Sequence, residues 1–299
     1  YLRATAGNDL RVLKQFLSME KLSGLNLPSQ FKIEFAVKNI DGDTNDVFFC
    51  KGTFDGRPVS AYVKVNKNPE LSLSNEYAIL TALKTSNVPV PEVIWYGGEL
   101  NEVLIVAAVP GEIVWDFIDP RRRHYNKDKA ILYLRACGEC LGKIHNLALT
   151  WPAQKRPRLY GLIGEEHVQD ERFSRLVLWI QMNNIAVRNQ VFVHGDFNTA
   201  SVLFDNDRIS GVIDWEFAGN GWREYDLAWF LRERSCFLNT EEERSAILEG
   251  YKKYSAYNAE ALCWCEVLNY LHFAYWDKKN DPDYTSLALG RAEELAGIG

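Results

Sequence analysis

Cysteine is scarce in this sequence, with 6 among 299 residues. That is too few for a disulfide framework and points to a reducing compartment. Long apolar runs are missing as well. The longest, Val103 to Val109, falls far short of the roughly 20 residues that span a bilayer, so no membrane partner is expected. The opening residues, Tyr1 to Asp9, hold no apolar core of the kind a secretory leader carries. A cytoplasmic location is the expectation. Excess positive charge is absent too: the formal net charge is −6 and the pI is about 5.5. The basic footprint of a nucleic-acid-binding protein is therefore missing. Nor is there an internal repeat or a low-complexity linker.

What is present is the ordinary globular balance, 47% hydrophobic and 25% charged residues. At ~100–200 residues per domain, the length allows two domains or one large bilobal unit. Four of the cysteines come in pairs. Cys137 and Cys140 form a C-x-x-C and Cys263 and Cys265 a C-x-C, enough thiolates for one zinc ion. Against zinc or redox chemistry, the first pair lies inside Ile131–Leu149, a stretch of helical apolar period without the turn a zinc knuckle needs.

The organisation changes near residue 110. Before it, short strand-like runs dominate: Phe31–Val37, Val47–Lys51, Val59–Val65, Val93–Trp95 and Val103–Val109. Asp55-Gly56 between two of them signals a tight hairpin. One helix interrupts the strands, Leu71–Lys84, with Ser72 or Ser74 as its N-cap. After residue 112 helical periodicity takes over: Lys127–Leu149, Glu171–Asn184, Asp226–Cys236, Glu241–Tyr257, Ala259–Lys278 and Pro282–Leu295. An island of strand remains at Val191–Val193, Val202–Phe204 and Ile209–Ile213. The division is thus into residues 1–108 and 109–299, hinged at Ala108–Glu112, where Pro110-Gly111 breaks both patterns. Two lobes on one hinge imply a cleft, a preferred place for ligands.

The densest chemistry lies in that island. Val191-Phe-Val-His-Gly-Asp-Phe-Asn-Thr-Ala-Ser-Val-Leu-Phe204 is followed by Gly211-Val-Ile-Asp-Trp-Glu216. His194, Asp196 and Asp214 fall at the ends of short apolar strands. A turn at Asp205-Asn206-Asp207 makes two of those strands antiparallel, so both carboxylates can face one site. One carboxylate can take a proton from an attacking hydroxyl while the other holds a divalent cation through oxygen. That pairing suits phosphoryl transfer, where positioning and metal electrostatics supply most of the catalysis. Either aspartate alone would read as a turn former or helix cap.

His194-Gly-Asp196 with Val202-Leu203, then Ile213-Asp214-Trp-Glu216 and Asp226-Leu-Ala228, resembles the aminoglycoside phosphotransferase family of small-molecule kinases. Val88-Pro-Val-Pro-Glu92, Val109-Pro-Gly-Glu112 and Leu141-Gly-Lys-Ile-His145 are similar to recurring phrases of the same family. The resemblance runs from about residue 32 to about residue 276. It implies an α+β, protein-kinase-like bilobal fold: an N-terminal five-stranded antiparallel sheet plus one helix, and a larger, mainly helical C-terminal lobe. The first lobe would bind nucleotide and the second would carry the catalytic and acceptor-binding groups.

Residue by residue, the resemblance makes Asp196 the catalytic base and Asp214 the main magnesium ligand. His194 and Asp226 would brace the catalytic loop. Lys64, in Ala61-Tyr-Val-Lys-Val65, would grip the nucleotide phosphates, paired with Glu76. A lysine inside an apolar alternating strand needs such a partner; the bland alternative is a surface strand lysine. The phosphate-covering loop would be Asn39–Asp46, with Thr44 and Asn45 as its contacts, and the base would meet backbone at Val106–Ala108.

The family's second metal ligand is an Asn, and this sequence has Ser201 there. The implied cofactors are Mg²⁺ with ATP or GTP as donor. The implied partners are that nucleoside triphosphate and a small-molecule acceptor, bound by a monomer or weak dimer. An aminoglycoside is the first expectation for the acceptor. Choline, homoserine, methylthioribose or a macrolide would use the same machinery. Glu216, Glu224, Glu266 and Trp276 are acceptor-side candidates. Ser201 and the glycine-poor loop keep a non-catalytic nucleotide-binding module open as the rival reading.

Overall fold

The computed structural model describes residues 17–39, 45–67, 72–98, 102–122, 124–152, 171–183, 190–232, 240–277 and 282–298. The chain forms two compact units, Tyr1–Pro110 with Gly211–Glu216, and Gly111–Ser210 with Phe217–Gly299. The break lies within the Pro110-Gly111 step. The second segment of the first unit is a return of the chain that a single cut point cannot represent.

The first unit is built on strand alternation. Strand β1 (Phe31–Lys38) pairs with β2 (Asn45–Phe54), and β2 turns into β3 (Arg57–Asn66). The turn is Asp55-Gly56, with φ of 49° and 75°. Two left-handed residues match the twist of the flanking strands, and glycine takes that conformation without strain. With β4 (Val93–Gly97) and β5 (Val103–Ala107) the sheet is antiparallel in the order β1-β2-β3-β5-β4. Alternation sends Phe48, Cys50, Ala61, Val63 and Val65 to one face, where they form a buried cluster with Leu22, Phe31 and Ala36. Lys64, in register with Val47 and Leu104, projects from the opposite face.

Helix α1 (Leu73–Leu83) follows. Ser72, not Ser74, is its cap: extended at φ −83°, it accepts from Ser74 N at 3.1 Å. Leu73, Glu76, Ile79, Leu80 and Leu83 are its buried stripe, so the helix aims Glu76 inward.

The second unit is mainly helical: α2 (Trp115–Ile118), α3 (Lys127–His145), α4 (Glu171–Met182), α5 (Arg223–Leu231), α6 (Glu241–Lys252), α7 (Ala259–Asp277) and α8 (Pro282–Ala296). Asn126 caps α3, and Thr240 with Glu243 forms a capping box on α6. Several helices end earlier than periodicity suggests, since apolar spacing continues into packed loops; α3 stops at His145 rather than Leu149. The strand island divides in two. Strands β6 (Glu112–Ile113), β8 (Val202–Asp205) and β9 (Arg208–Val212) form one small sheet, while β7 (Gln190–Val193) pairs with β10 (Gly219–Trp222). Strands β6 and β10 have no sequence signature: Gly219-Asn-Gly-Trp222 reads as a loop and becomes a strand only through its partner.

The architecture is the α+β arrangement expected. Among the described residues no helix is long and apolar enough to cross a membrane.

Candidate functional site

In the first unit, Lys64 Nζ lies 2.7 Å from Glu76 Oε1 and 2.8 Å from Asp214 Oδ1. Lys64 and Glu76 are buried, while the Asp214 side chain is about half exposed at 49%. Burial pulls the lysine pKa down, but the Asp214 and Glu76 carboxylates outweigh it and hold the ammonium charged, above its ordinary range. Asp214 sits at φ 64°, in the left-handed region. A non-glycine residue held there is an uncommon conformation that often marks a functional turn. Glu76 Oε2 is buried without a hydrogen-bond partner, a costly arrangement that structural ion pairs usually avoid.

Asn45 and Glu216, read separately as phosphate-side and acceptor-side residues, meet each other: Asn45 Nδ2 donates to Glu216 Oε2 at 2.8 Å. Thr44 lies outside the described residues. Val106 is a buried residue of β5, flanked in register by Tyr62 and Val93. The next two amides are committed, Ala107 N to Glu92 O and Ala108 N to Ser60 O, each at 2.8 Å.

In the second unit, the loop after β7 is shaped by one buried carboxylate. Asp226, in the first turn of α5, accepts from His194 N at 2.9 Å and Gly195 N at 3.0 Å. His194 Nδ1 accepts from Asp196 N at 3.2 Å. Gly195 has φ 81°, so the chain reverses there and brings Asp196 to a partly exposed position. His194 and Asp226 thus both serve the backbone of the loop, Asp226 by hydrogen bonding rather than by capping its helix. Burial raises the Asp226 pKa, but the bonds from His145 and from the loop outweigh it and keep the group below its ordinary value.

Ser201 is committed locally. Its buried Oγ accepts from Asn198 N and donates to Asn198 O, both at 2.9 Å. The Asn198 amide closes the same turn, accepting from Ala200 N at 2.8 Å and donating to Asp196 O at 3.1 Å. The chemistry of a hard divalent cation fits the Asp214 carboxylate; magnesium needs only one or two carboxylates when phosphates and water complete its shell.

The remaining acceptor-side residues have partners of their own. Glu224 Oε1 accepts from Asn258 N at 3.0 Å, and Glu266 is buried in a two-pronged ion pair with Arg244, at 2.7 Å for the Nη2–Oε2 arm. Trp276 lies in α7, but its side chain is outside the described residues. Burial holds Cys137 and Cys140 as thiols, pushing Cys140 up to about 12. That opposes the thiolate form zinc requires.

The profile of the phosphotransferase enzyme family matches residues 37–263, a span that includes Lys64, Glu76, Asp196, Asp214 and Asp226. The chain belongs to the phosphotransferase family. It is an enzyme, a small-molecule kinase. Homoserine kinase of Zymomonas mobilis subsp. mobilis is 26% identical over 242 residues, which is 72% of this chain and 72% of that protein. Among solved structures, aminoglycoside phosphotransferase APH(4)-Ia covers 95% of this chain and 99% of its own, with TM-score 0.65 and 19% identity. An aminoglycoside-3'-phosphotransferase of type VIII covers 86% and 98%, with TM-score 0.59 and 21% identity. At these identities the likeness establishes the fold.

Two supports of this phosphotransferase's clusters carried no signal in the sequence. Glu102 accepts from Asn66 Nδ2, Ser72 Oγ, Leu73 N and the Tyr96 hydroxyl, at 2.6–2.9 Å. It ties the end of the strand carrying Lys64 to the start of the helix carrying Glu76. The other is Tyr251, whose hydroxyl meets His145 Nδ1 at 2.7 Å. His145 ends the phrase Leu141-Gly-Lys-Ile-His145, which by itself gives the residue no role.

Proposed function

We propose that this phosphotransferase moves the γ-phosphoryl group of ATP or GTP to a hydroxyl of a small, polar, amine-bearing molecule. The observation that carries the reading is Lys64, buried, charged and bonded to both Glu76 and Asp214. A lysine so placed is a fixed positive charge suited to the nucleotide's phosphates. A nucleotide donor is further supported by a solved relative of the same fold, a mutant APH(4)-Ia described as a ternary complex with AMP-PNP and hygromycin B.

In this reading the first unit binds nucleotide and the second carries the base and the acceptor groups. Asp196 takes the proton of the acceptor hydroxyl and orients its oxygen. Asp214 would hold magnesium, which when bound neutralises charge on the transferring phosphates. Asn45 and Glu216 fix the start of β2 relative to the segment carrying Asp214. The nucleotide's purine would use the carbonyl of Ala108 or the amide beyond it, because the Ala108 amide already serves the sheet.

An aminoglycoside is the first acceptor class of this reading. One observation favours a second, a hydroxy amino acid with a single ammonium group, of the homoserine kind: Glu224 and Glu266, which a polycation would seek, are occupied within the fold. A homoserine kinase is among the curated proteins similar to this chain, over 242 residues.

The test is magnesium-dependent nucleotide consumption against a panel of aminoglycosides, homoserine, choline, methylthioribose and macrolides. Wild type and Asp196→Asn run side by side, with nucleotide binding measured in the same samples. Turnover on one acceptor, lost in the variant, is the expected result. Nucleotide binding without turnover on any acceptor, by wild type as well, would favour the non-catalytic reading.

A further inference from the structure

A continuous chain of buried side chains reaches the loop of Asp196 from a helix that the proposed reaction does not use. The Tyr251 hydroxyl on α6 lies 2.7 Å from His145 Nδ1, and on the other edge of the ring His145 Nε2 lies 3.1 Å from Asp226 Oδ2. Asp226 then accepts from the amides of His194 and Gly195. Tyr251, His145, Asp226 and His194 are all buried.

Close helix packing puts Tyr251 there. A Cβ added at Gly138 of α3 would stand 2.1 Å from Ile247 O, and one at Gly250 of α6 would stand 2.1 Å from Arg135 O. Only glycine lets the two backbones approach so closely, and Tyr251 follows Gly250 directly.

The donors and acceptors along this chain can be assigned. An ionised carboxylate only accepts, and Asp226 already accepts two amides. The ring nitrogen facing it must therefore carry the proton, which places a hydrogen on His145 Nε2. In the neutral ring Nδ1 then keeps its lone pair, and the Tyr251 hydroxyl is the donor it meets. The carboxylate selects this tautomer, because an Nε2 lone pair facing it would be repelled, while the hydroxyl holds the second edge of the ring.

We propose that Tyr251 is a positioning residue for phosphoryl transfer: its hydroxyl anchors the His145 ring at Nδ1, so that Nε2–H holds Asp226 against the amides that shape the Asp196 loop. The catalytic part of this inference rests on the reading of Asp196 as the base. Tyr251 touches no reacting atom; it acts through His145 and Asp226.

Tyr251→Phe tests it, because the variant keeps the ring and its edge contacts with His145 and Tyr257 and deletes only the hydroxyl. Three readouts are taken on both proteins. Nitrogen-15 spectra of histidine-labelled protein report the tautomer of His145, hydrogen exchange reports protection of the Gly195 amide, and steady-state kinetics report turnover. Wild type should show a protonated Nε2 and a bare Nδ1. The variant should keep the protonated Nε2, shift the Nδ1 resonance as its hydrogen bond is lost, exchange the Gly195 amide about tenfold faster, and lose about tenfold in kcat with the nucleotide KM unchanged, the scale of one hydrogen bond.

An unchanged Nδ1 resonance or an unchanged exchange rate overturns the proposal. A fall in kcat with the Gly195 amide still protected would make Tyr251 a packing residue and also overturn it. If wild type turns over no acceptor, it is the catalytic reading that has failed. The spectra and the exchange rates still decide whether Tyr251 anchors the ring.

Discussion

Lys64 Nζ and Asp214 Oδ1 stand 2.8 Å apart although 150 residues separate them in the chain. The first unit closes this contact itself, because Gly211–Glu216 returns to it after the chain has left. Lys64 also bonds Glu76, and that half of the arrangement is fully buried. Removing one partner of a buried ion pair strands the other charge, at a cost of about 3–5 kcal/mol. Lys64→Met should therefore lower unfolding stability by about that amount, measured by urea denaturation, and weaken nucleotide binding in the fraction that folds. A loss under about 1 kcal/mol, as for an exposed pair, would show that Glu76 does not depend on Lys64 for its charge.

Asp196 gives a cleaner separation. Its amide and its carbonyl carry two bonds of the loop, and Asp196→Asn keeps both. Asp196→Asn should lower kcat by about 10²–10⁴, the usual contribution of a positioned base. The nucleotide dissociation constant and the denaturation midpoint should stay within experimental error of wild type. Retained turnover would remove Asp196 from the role of base.

Asp214→Asn should act on binding. If Asp214 holds the metal, the variant loses the magnesium dependence of nucleotide affinity, seen as nearly equal affinities with magnesium and with chelator by calorimetry. Lys64 would keep its buried partner Glu76, so the fold should survive. A magnesium effect as large as in wild type would place the metal on other residues.

These clusters were legible in the sequence to different degrees. The strand lysine, the His194–Asp196 island and Asp214 stand out because each is a charged or polar group at the edge of an apolar strand. The five-stranded sheet and its hairpin follow from alternation and from Asp55-Gly56. Strand β10 did not show, because its residues adopt strand geometry only through pairing with β7. The pairings Asn45–Glu216, Glu102–Leu73 and His145–Tyr251 did not show either. They join residues distant in the chain by single hydrogen bonds, and no periodicity encodes that. Acidic residues such as Glu224 and Glu266 looked available for an acceptor, since a sequence does not reveal which carboxylates the fold already uses.

Asp226 predicts a pH dependence. Its folded pKa lies below the ordinary 3.8, because the His145 and loop bonds overcome its burial. The native state therefore binds fewer protons than the unfolded state in acid. The stabilisation is fully present above about pH 5 and is lost as pH falls through 3.8 toward the folded value. Asp226→Asn removes the titration. The stability difference between wild type and variant should shrink below about pH 4, measured by chemical denaturation across an acid series. A difference that widens in acid would mean that the native environment raises the Asp226 pKa.

Ser201 separates two roles that predict opposite responses. As a metal ligand, its hydroxyl would be needed for magnesium affinity and only incidentally for stability. As the pin of the Asn198 turn, it donates and accepts within a buried loop, and its loss should cost stability of about 0.5–1.5 kcal/mol per hydrogen bond. The geometry favours the pin, because the buried hydroxyl both donates and accepts within its own turn. Ser201→Ala should thus lower the denaturation midpoint while leaving the magnesium dependence of nucleotide binding unchanged. Ser201→Asn, which restores the amide found at this position in the family, brings a larger side chain into a buried spot and should lower stability further. If Ser201→Asn instead raises turnover strongly with no loss of stability, the turn is more plastic than its hydrogen bonds imply, and position 201 is a metal position in which serine is the weaker ligand.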